Sequence, residues 1–124
     1  MIRSAIEVMH NSYSPYSKFK VGAAALLKDG TIITGTNVEN ASYGLSMCAE
    51  RACLFTIYSK GYRKNDIIGF CIAGKEITYP CGACRQVMVE LLNPETVVVL
   101  TDEKLNTKEM LVKDLLPNEF KLEG

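Results

Sequence analysis

Apolar residues Ile2, Ala5, Ile6, Met9 and Tyr13 recur at the spacing of one helical face, so the chain is expected to open with an amphipathic helix. "NSYSPYSKF" then breaks the pattern with Ser, Asn and Pro. Two apolar runs follow, "VGAAALL" at Val21–Leu27 and "TIITGTNV", separated by "KDG". Asp29-Gly30 between strand-like runs signals a hairpin, because such turns need positive φ at the glycine. After the polar stretch "NVENASYGLS", the segment from Cys48 reads as a helix ending near Gly61. "DIIGFCIAG" reads as a buried strand, "EITYP" as a loop, and "CGACRQVMVELL" as a helix that stops before Pro94. The valine run at Thr96–Thr101 is a strand buried on both faces. "DEKLNTKEM" turns into an edge strand, and "LVKDLLPNEF" is one helical turn and a partly structured tail.

The order is αββαβαββα. Its strand–helix–strand units require parallel pairing with right-handed crossovers, giving an α/β fold in which helices pack on the faces of a mixed five-stranded sheet. The sequence holds no internal repeat, low-complexity tract or linker, so residues 1–124 are expected to form one domain.

Composition narrows the chemistry. With 124 residues, 48% of them hydrophobic, the chain is large enough to bury a core without disulfides. The zero formal net charge argues against nucleic acid as the main ligand. No apolar run approaches the roughly 20 residues a bilayer needs, so no membrane association is expected. The N-terminal "MIRSAIEVMHNS" lacks the apolar core and cleavage site of a secretory signal. The five cysteines are an odd number, which favours thiols or metal ligands over a disulfide framework, and a cytoplasmic location is expected.

Three of those cysteines stand out. Cys81 and Cys84 are spaced C-x-x-C at the start of one helix, and Cys48 starts another. Helix N-termini favour negative charge and lower a thiol's pKa, so two such ends facing one ion help keep three thiolates deprotonated. Cys53 and Cys71 fall at core-type positions, and His10, the single histidine, lies on a surface-type helix far from the motif in sequence. Three protein ligands with one open position is the pattern of a catalytic zinc site. Glu50 lies two residues after Cys48, where a carboxylate reaches a metal-activated water without ligating the ion. Three thiolates on a dication leave net negative charge, which a guanidinium donating to sulfur offsets; Arg51 is the first candidate and Arg85 the second. By itself C-x-x-C also fits a thiol oxidoreductase, two buried cysteines, or a structural zinc module with a fourth ligand. "CAE" with "PCGAC" is more restrictive and matches the zinc-deaminase pattern.

The resemblance extends past the metal motif. "YSPYSKFKVGAA", "GTNVENASYGLSMCAERACLF", "PCGACRQVMVEL" and "LLPNEF" occur in the order and spacing of the small homotetrameric, three-cysteine cytidine deaminases. This resemblance implies a single-domain cytidine-deaminase-like fold with one zinc per chain. It also implies hydrolytic deamination of cytidine and 2′-deoxycytidine in pyrimidine salvage. Activated water would attack C4 of cytosine while Glu50 moves the proton to N3. Phe19 would lie against the pyrimidine, the Ala49 backbone would hold the base, and Asn37 and Glu39 would bind the ribose hydroxyls. Tyr43 and Phe120 match positions that neighbouring chains supply to active sites shared within a homotetramer. A blasticidin S deaminase-like enzyme, acting on a cytosine-nucleoside antibiotic, is the nearest alternative.

Overall fold

The computed structural model of the protein describes residues 1–42 and 45–115. Its elements follow the order α1 (Ile2–Met9), β1 (Val21–Leu27), β2 (Ile32–Thr36), α2 (Ala49–Ser59), β3 (Ile67–Gly74), α3 (Gly82–Leu91), β4 (Val97–Thr101) and β5 (Thr107–Leu111). The five strands form one sheet in the order β2-β1-β3-β4-β5. β1 is antiparallel to both β2 and β3, β3 and β4 are parallel, and β5 returns antiparallel along β4. The mixed α/β architecture expected from the sequence is therefore present. The β3–α3–β4 crossover joins adjacent strands, whereas α2 carries the chain over β1, so β2 and β3 run in the same direction without touching.

Alternation along the strands divides the interior. Ala23, Ala25, Phe70, Ile72, Val98 and Leu100 face the side covered by α2 and α3. Ala24, Cys71, Ala73 and Val99 face α1, which buries Ala5 and Met9 against them. On the first side Leu54 and Ile57 of α2 and Met88 of α3 are fully buried, each such side chain contributing about 1.5–3 kcal/mol.

Three elements end differently from the sequence expectation. The first helix stops at Met9, and Tyr13 lies beyond it, exposed and bridged to Val38. In β4 the first valine, Val97, is 38% exposed, so the strand is covered on both faces only from Val98 onward. The last helical turn is a 3-10 turn at Val112–Asp114; the rest of "LLPNEF", with Phe120, lies outside the described residues, as does Tyr43. The Asp29-Gly30 hairpin has its glycine at φ +88°, and Tyr62 Oη closes it by donating to Asp29 Oδ2 at 2.9 Å. Among the described residues no helix is long and apolar enough to cross a membrane.

Close packing at one glycine sets the position of α2. A Cβ at Gly35 of β2 would lie 2.5 Å from the Cys53 backbone nitrogen and 2.9 Å from the Ala49 carbonyl oxygen. The helix backbone rests on the strand where only hydrogen fits. Gly35→Ala is expected to push α2 off the sheet and lower stability by about 1–3 kcal/mol, the usual cost of overpacking, read as a lower urea midpoint at unchanged m-value. A midpoint equal to that of the parent would show that this contact does not fix the helix.

Candidate active site and metal centre

One end of the sheet gathers the candidate residues. Val21 at the start of β1 pairs with Gly74 at the end of β3, and its neighbour Gly22 pairs with Thr36 at the end of β2. Segments entering β1 and leaving β2 and β3 thus emerge together. α2 and α3 both begin above this end.

Cys48 is the N-cap of α2 and Cys81 the N-cap of α3, each in extended backbone, with Cys84 in the first turn of α3. Pro80 just before Cys81 disfavours helix at Tyr79 and helps start α3 where it does. The Sγ atoms of Cys48, Cys81 and Cys84 all lie within 4.8 Å of one another, with Cys48–Cys81 at 3.9 Å and Cys81–Cys84 at 3.4 Å. Tetrahedral zinc with sulfur at about 2.3 Å needs sulfurs about 3.8 Å apart, so the trio fits the ion. His10 is exposed and outside this cluster, and no fourth side chain joins the cluster among the described residues. Cys53 and Cys71 are fully buried core residues. Burial pushes their thiols up to about 12 and about 11, which keeps them protonated.

The thiols divide one charge. A hydrogen bond from Cys84, with Arg51 adding a second donor and a positive charge, brings the Cys48 thiol down to about 5. Cys84, donating to Cys48 and buried, is pushed up. Arg51 Nη2 donates to Cys48 Sγ at 3.3 Å. Arg85, the second candidate for this contact, donates instead to backbone carbonyls: Nε to Pro80 at 2.8 Å and Nη1 to Leu115 at 3.0 Å. It ties the start of α3 to the chain beyond β5.

Glu50 is 5% exposed. The cause is its register: it shares the inward stripe of α2 with Cys53, Leu54 and Ile57. Burial, reinforced by the charge on Cys48, raises its pKa above the ordinary glutamate value. Glu50 also lines a cavity of about 240 Å³ together with Cys48, Cys81, Ala49, Phe19 and Asn37. Glu39 lines the same cavity; of the other candidates among the described residues, Cys84 joins through the sulfur cluster and Arg51 through Cys48, while Arg85 does not line the cavity.

Asn37 and Glu39 are already engaged by the protein. Asn37 Oδ1 accepts from Ser12 Oγ at 2.6 Å and from the Val21 N–H at 2.9 Å, while Nδ2 donates to the Phe19 carbonyl at 2.8 Å. Glu39 accepts from Ser17 Oγ and from the Tyr16 and Ser17 N–H groups, and these bonds hold its carboxyl below the usual range. Sequence reasoning did not single out Ser17, Thr78 or Tyr79, which also line the cavity. Tyr79 carried a positional signal, standing two residues before Cys81. Tyr79 is 44% exposed, with Lys108 Nζ 5.3 Å from its ring centroid.

Residues 1–101 match the family model described as the cytidine and deoxycytidylate deaminase zinc-binding region. A cytidine deaminase of Halalkalibacterium halodurans is 48% identical over 123 residues, 99% of this chain and 93% of that protein. One from Sporosarcina psychrophila is 41% identical, covering 99% of this chain and 90% of its own length. The crystal structure of cytidine deaminase from Burkholderia pseudomallei superposes with a TM-score of 0.91 at 45% identity, covering 96% of this chain and 95% of that one. The chain belongs to the cytidine deaminase family, and its fold is the single-domain fold of that family.

Arg51→Gln removes both the positive charge beside Cys48 and the guanidinium donor. With the thiolate less stabilised, the Cys48 pKa rises from about 5. The pH profile of iodoacetamide alkylation at Cys48 in metal-free protein, followed by peptide mass spectrometry, is expected to shift to higher pH. An unmoved profile would mean that Arg51 does not stabilise this thiolate.

Proposed function

We infer that the protein catalyses zinc-dependent hydrolytic deamination of cytidine and 2′-deoxycytidine to uridine and 2′-deoxyuridine, with release of ammonia. The observation that carries this reading is a cluster of three cysteine sulfurs at two helix N-termini, two of which, Cys48 and Cys81, line one cavity together with the buried Glu50. The relatives' activity favours it over a blasticidin S deaminase-like enzyme. A structural zinc module has no need of a buried carboxylate opening on the same cavity, and a redox pair has no need of Cys48.

Cys48, Cys81 and Cys84 hold one zinc per chain. When bound, zinc supplies a Lewis acid that brings the pKa of water towards about 7. Glu50 takes the proton of the attacking water and delivers it to ring N3 as the bond to C4 forms. It then assists cleavage of the C4–N4 bond and departure of ammonia. A carboxyl raised by burial suits both accepting and returning a proton near neutral pH. Arg51 offsets the excess negative charge of three thiolates. Phe19 lies along the pyrimidine, and the Ala49 backbone holds the base.

Asn37 and Glu39 receive the sugar. Asn37 has an Nδ2 hydrogen beyond its bond to Phe19, and Glu39 keeps carboxylate lone pairs beyond its three donors. An anionic carboxylate accepts from hydroxyls and repels phosphate, which favours nucleosides over nucleotides. The sequence resemblance supports further expectations: a homotetramer in which Tyr43 and Phe120 complete sites on neighbouring chains, a cytoplasmic location, and a place in pyrimidine salvage.

Glu50→Gln keeps the volume of the side chain and removes its basicity. It is expected to retain one zinc per chain by metal analysis and to lose about 10²–10⁴-fold in kcat on cytidine. Turnover near that of the parent in the zinc-loaded variant would remove Glu50 from the reaction.

A further inference from the structure

Phe19 lines the cavity and is 46% exposed. Its backbone is held from both sides. The Phe19 N–H donates to Ser17 Oγ at 3.0 Å, and its carbonyl accepts from Asn37 Nδ2 at 2.8 Å. The Ser17 hydroxyl is oriented in turn, because it donates to Glu39 Oε2. The Ser17 and Tyr16 N–H groups both reach Glu39 Oε1 at 3.1 Å.

Between Ser17 and Phe19, Lys18 adopts φ +62°, a left-handed conformation uncommon for a side chain of its kind. Such a conformation persists only where the surroundings determine it. Here the Lys18 N–H donates to the Ser14 carbonyl at 3.0 Å, and the two flanking residues are tied down by Glu39 and Asn37.

A hydroxyl has one hydrogen to give and two lone pairs. At Ser17 the hydrogen goes to the carboxylate and a lone pair takes the Phe19 N–H. Alanine supplies neither and threonine supplies both.

We propose that Ser17 is a positioning residue, whose hydroxyl, aligned by Glu39, sets the Phe19 peptide so that the aromatic ring forms the wall of the base subsite. This rests on the nucleoside reading of the cavity. Glu39 thereby acts twice, since the carboxylate that receives the sugar also fixes, through one hydroxyl, the ring that meets the base. A stacking wall touches the base alike in the ground and transition states, so its loss raises KM more than it lowers kcat.

The test is a double-mutant cycle on zinc-replete protein with cytidine, comparing Ser17→Ala, Ser17→Thr, Phe19→Ala and the Ser17→Ala/Phe19→Ala pair. Ser17→Ala is expected to raise KM about tenfold with less than about a threefold fall in kcat, and Ser17→Thr to restore KM. In the Phe19→Ala background the Ser17→Ala change is expected to add nothing, because the ring it positions is gone. Calorimetric binding of uridine gives the same cycle where turnover of the double variant is too slow to follow. An unchanged KM in Ser17→Ala, even with a lowered melting temperature, overturns the inference, as do effects of the two substitutions that simply multiply. Wild-type protein that fails to turn over cytidine overturns the nucleoside reading and this inference with it. Normal wild-type turnover beside an unaffected Ser17→Ala variant overturns the inference alone.

Discussion

Everything in this molecule that bears on chemistry depends on two helices beginning at one point. A helix start presents unpaired N–H groups and partial positive charge, and here two such starts carry three cysteines between them. Thiols need that environment to become ligands. The hydrogen bond from Cys84 and the Arg51 contact both lower the Cys48 thiol's pKa, which favours negative charge on that sulfur. The sheet enforces the meeting. Gly35 lets α2 lie on β2 backbone to backbone, and the parallel β3–α3–β4 crossover brings α3 to the same side.

The second constraint is the burial of Glu50. A glutamate on the inward stripe of a helix is costly unless it has work there. Its neighbours on that stripe, Cys53, Leu54 and Ile57, form ordinary core, so the carboxyl alone faces both the packed interior and the cavity. Desolvation keeps its proton affinity high, and the adjacent thiolate adds to this. The same packing that stabilises the fold thus tunes the carboxyl proposed to transfer the proton.

Much of this was legible in the sequence. The continuous apolar runs "DIIGFCIAG" and Thr96–Thr101 announced buried strands, which the structure covers on both faces, and Asp29-Gly30 announced the hairpin. The Cys48, Cys81 and Cys84 spacing marked three candidate ligands because each falls at a helix start, a local property, and the structure brings their sulfurs together. What stayed hidden depends on contacts between segments distant in the chain. Tyr13 continued the helical spacing of α1, yet its N–H pairs with the Asn37 carbonyl, and that long-range bond draws it out of the helix. Both Arg51 and Arg85 stand beside the motif, with Arg51 the first candidate for the sulfur contact, and the three-dimensional paths of their side chains give Arg51 the sulfur partner and Arg85 backbone partners. Ser17 in "YSKF" gave no chemical signal, since its importance arises from Glu39, which lies 22 residues further along.

The most direct test of the central claim is zinc K-edge X-ray absorption of the purified, zinc-replete protein. The account predicts three sulfur scatterers at about 2.3 Å and one oxygen or nitrogen scatterer at about 2.0 Å, the latter exchangeable with solvent-derived ligands. A shell of four sulfurs, or a fourth position closed by a histidine, would contradict it.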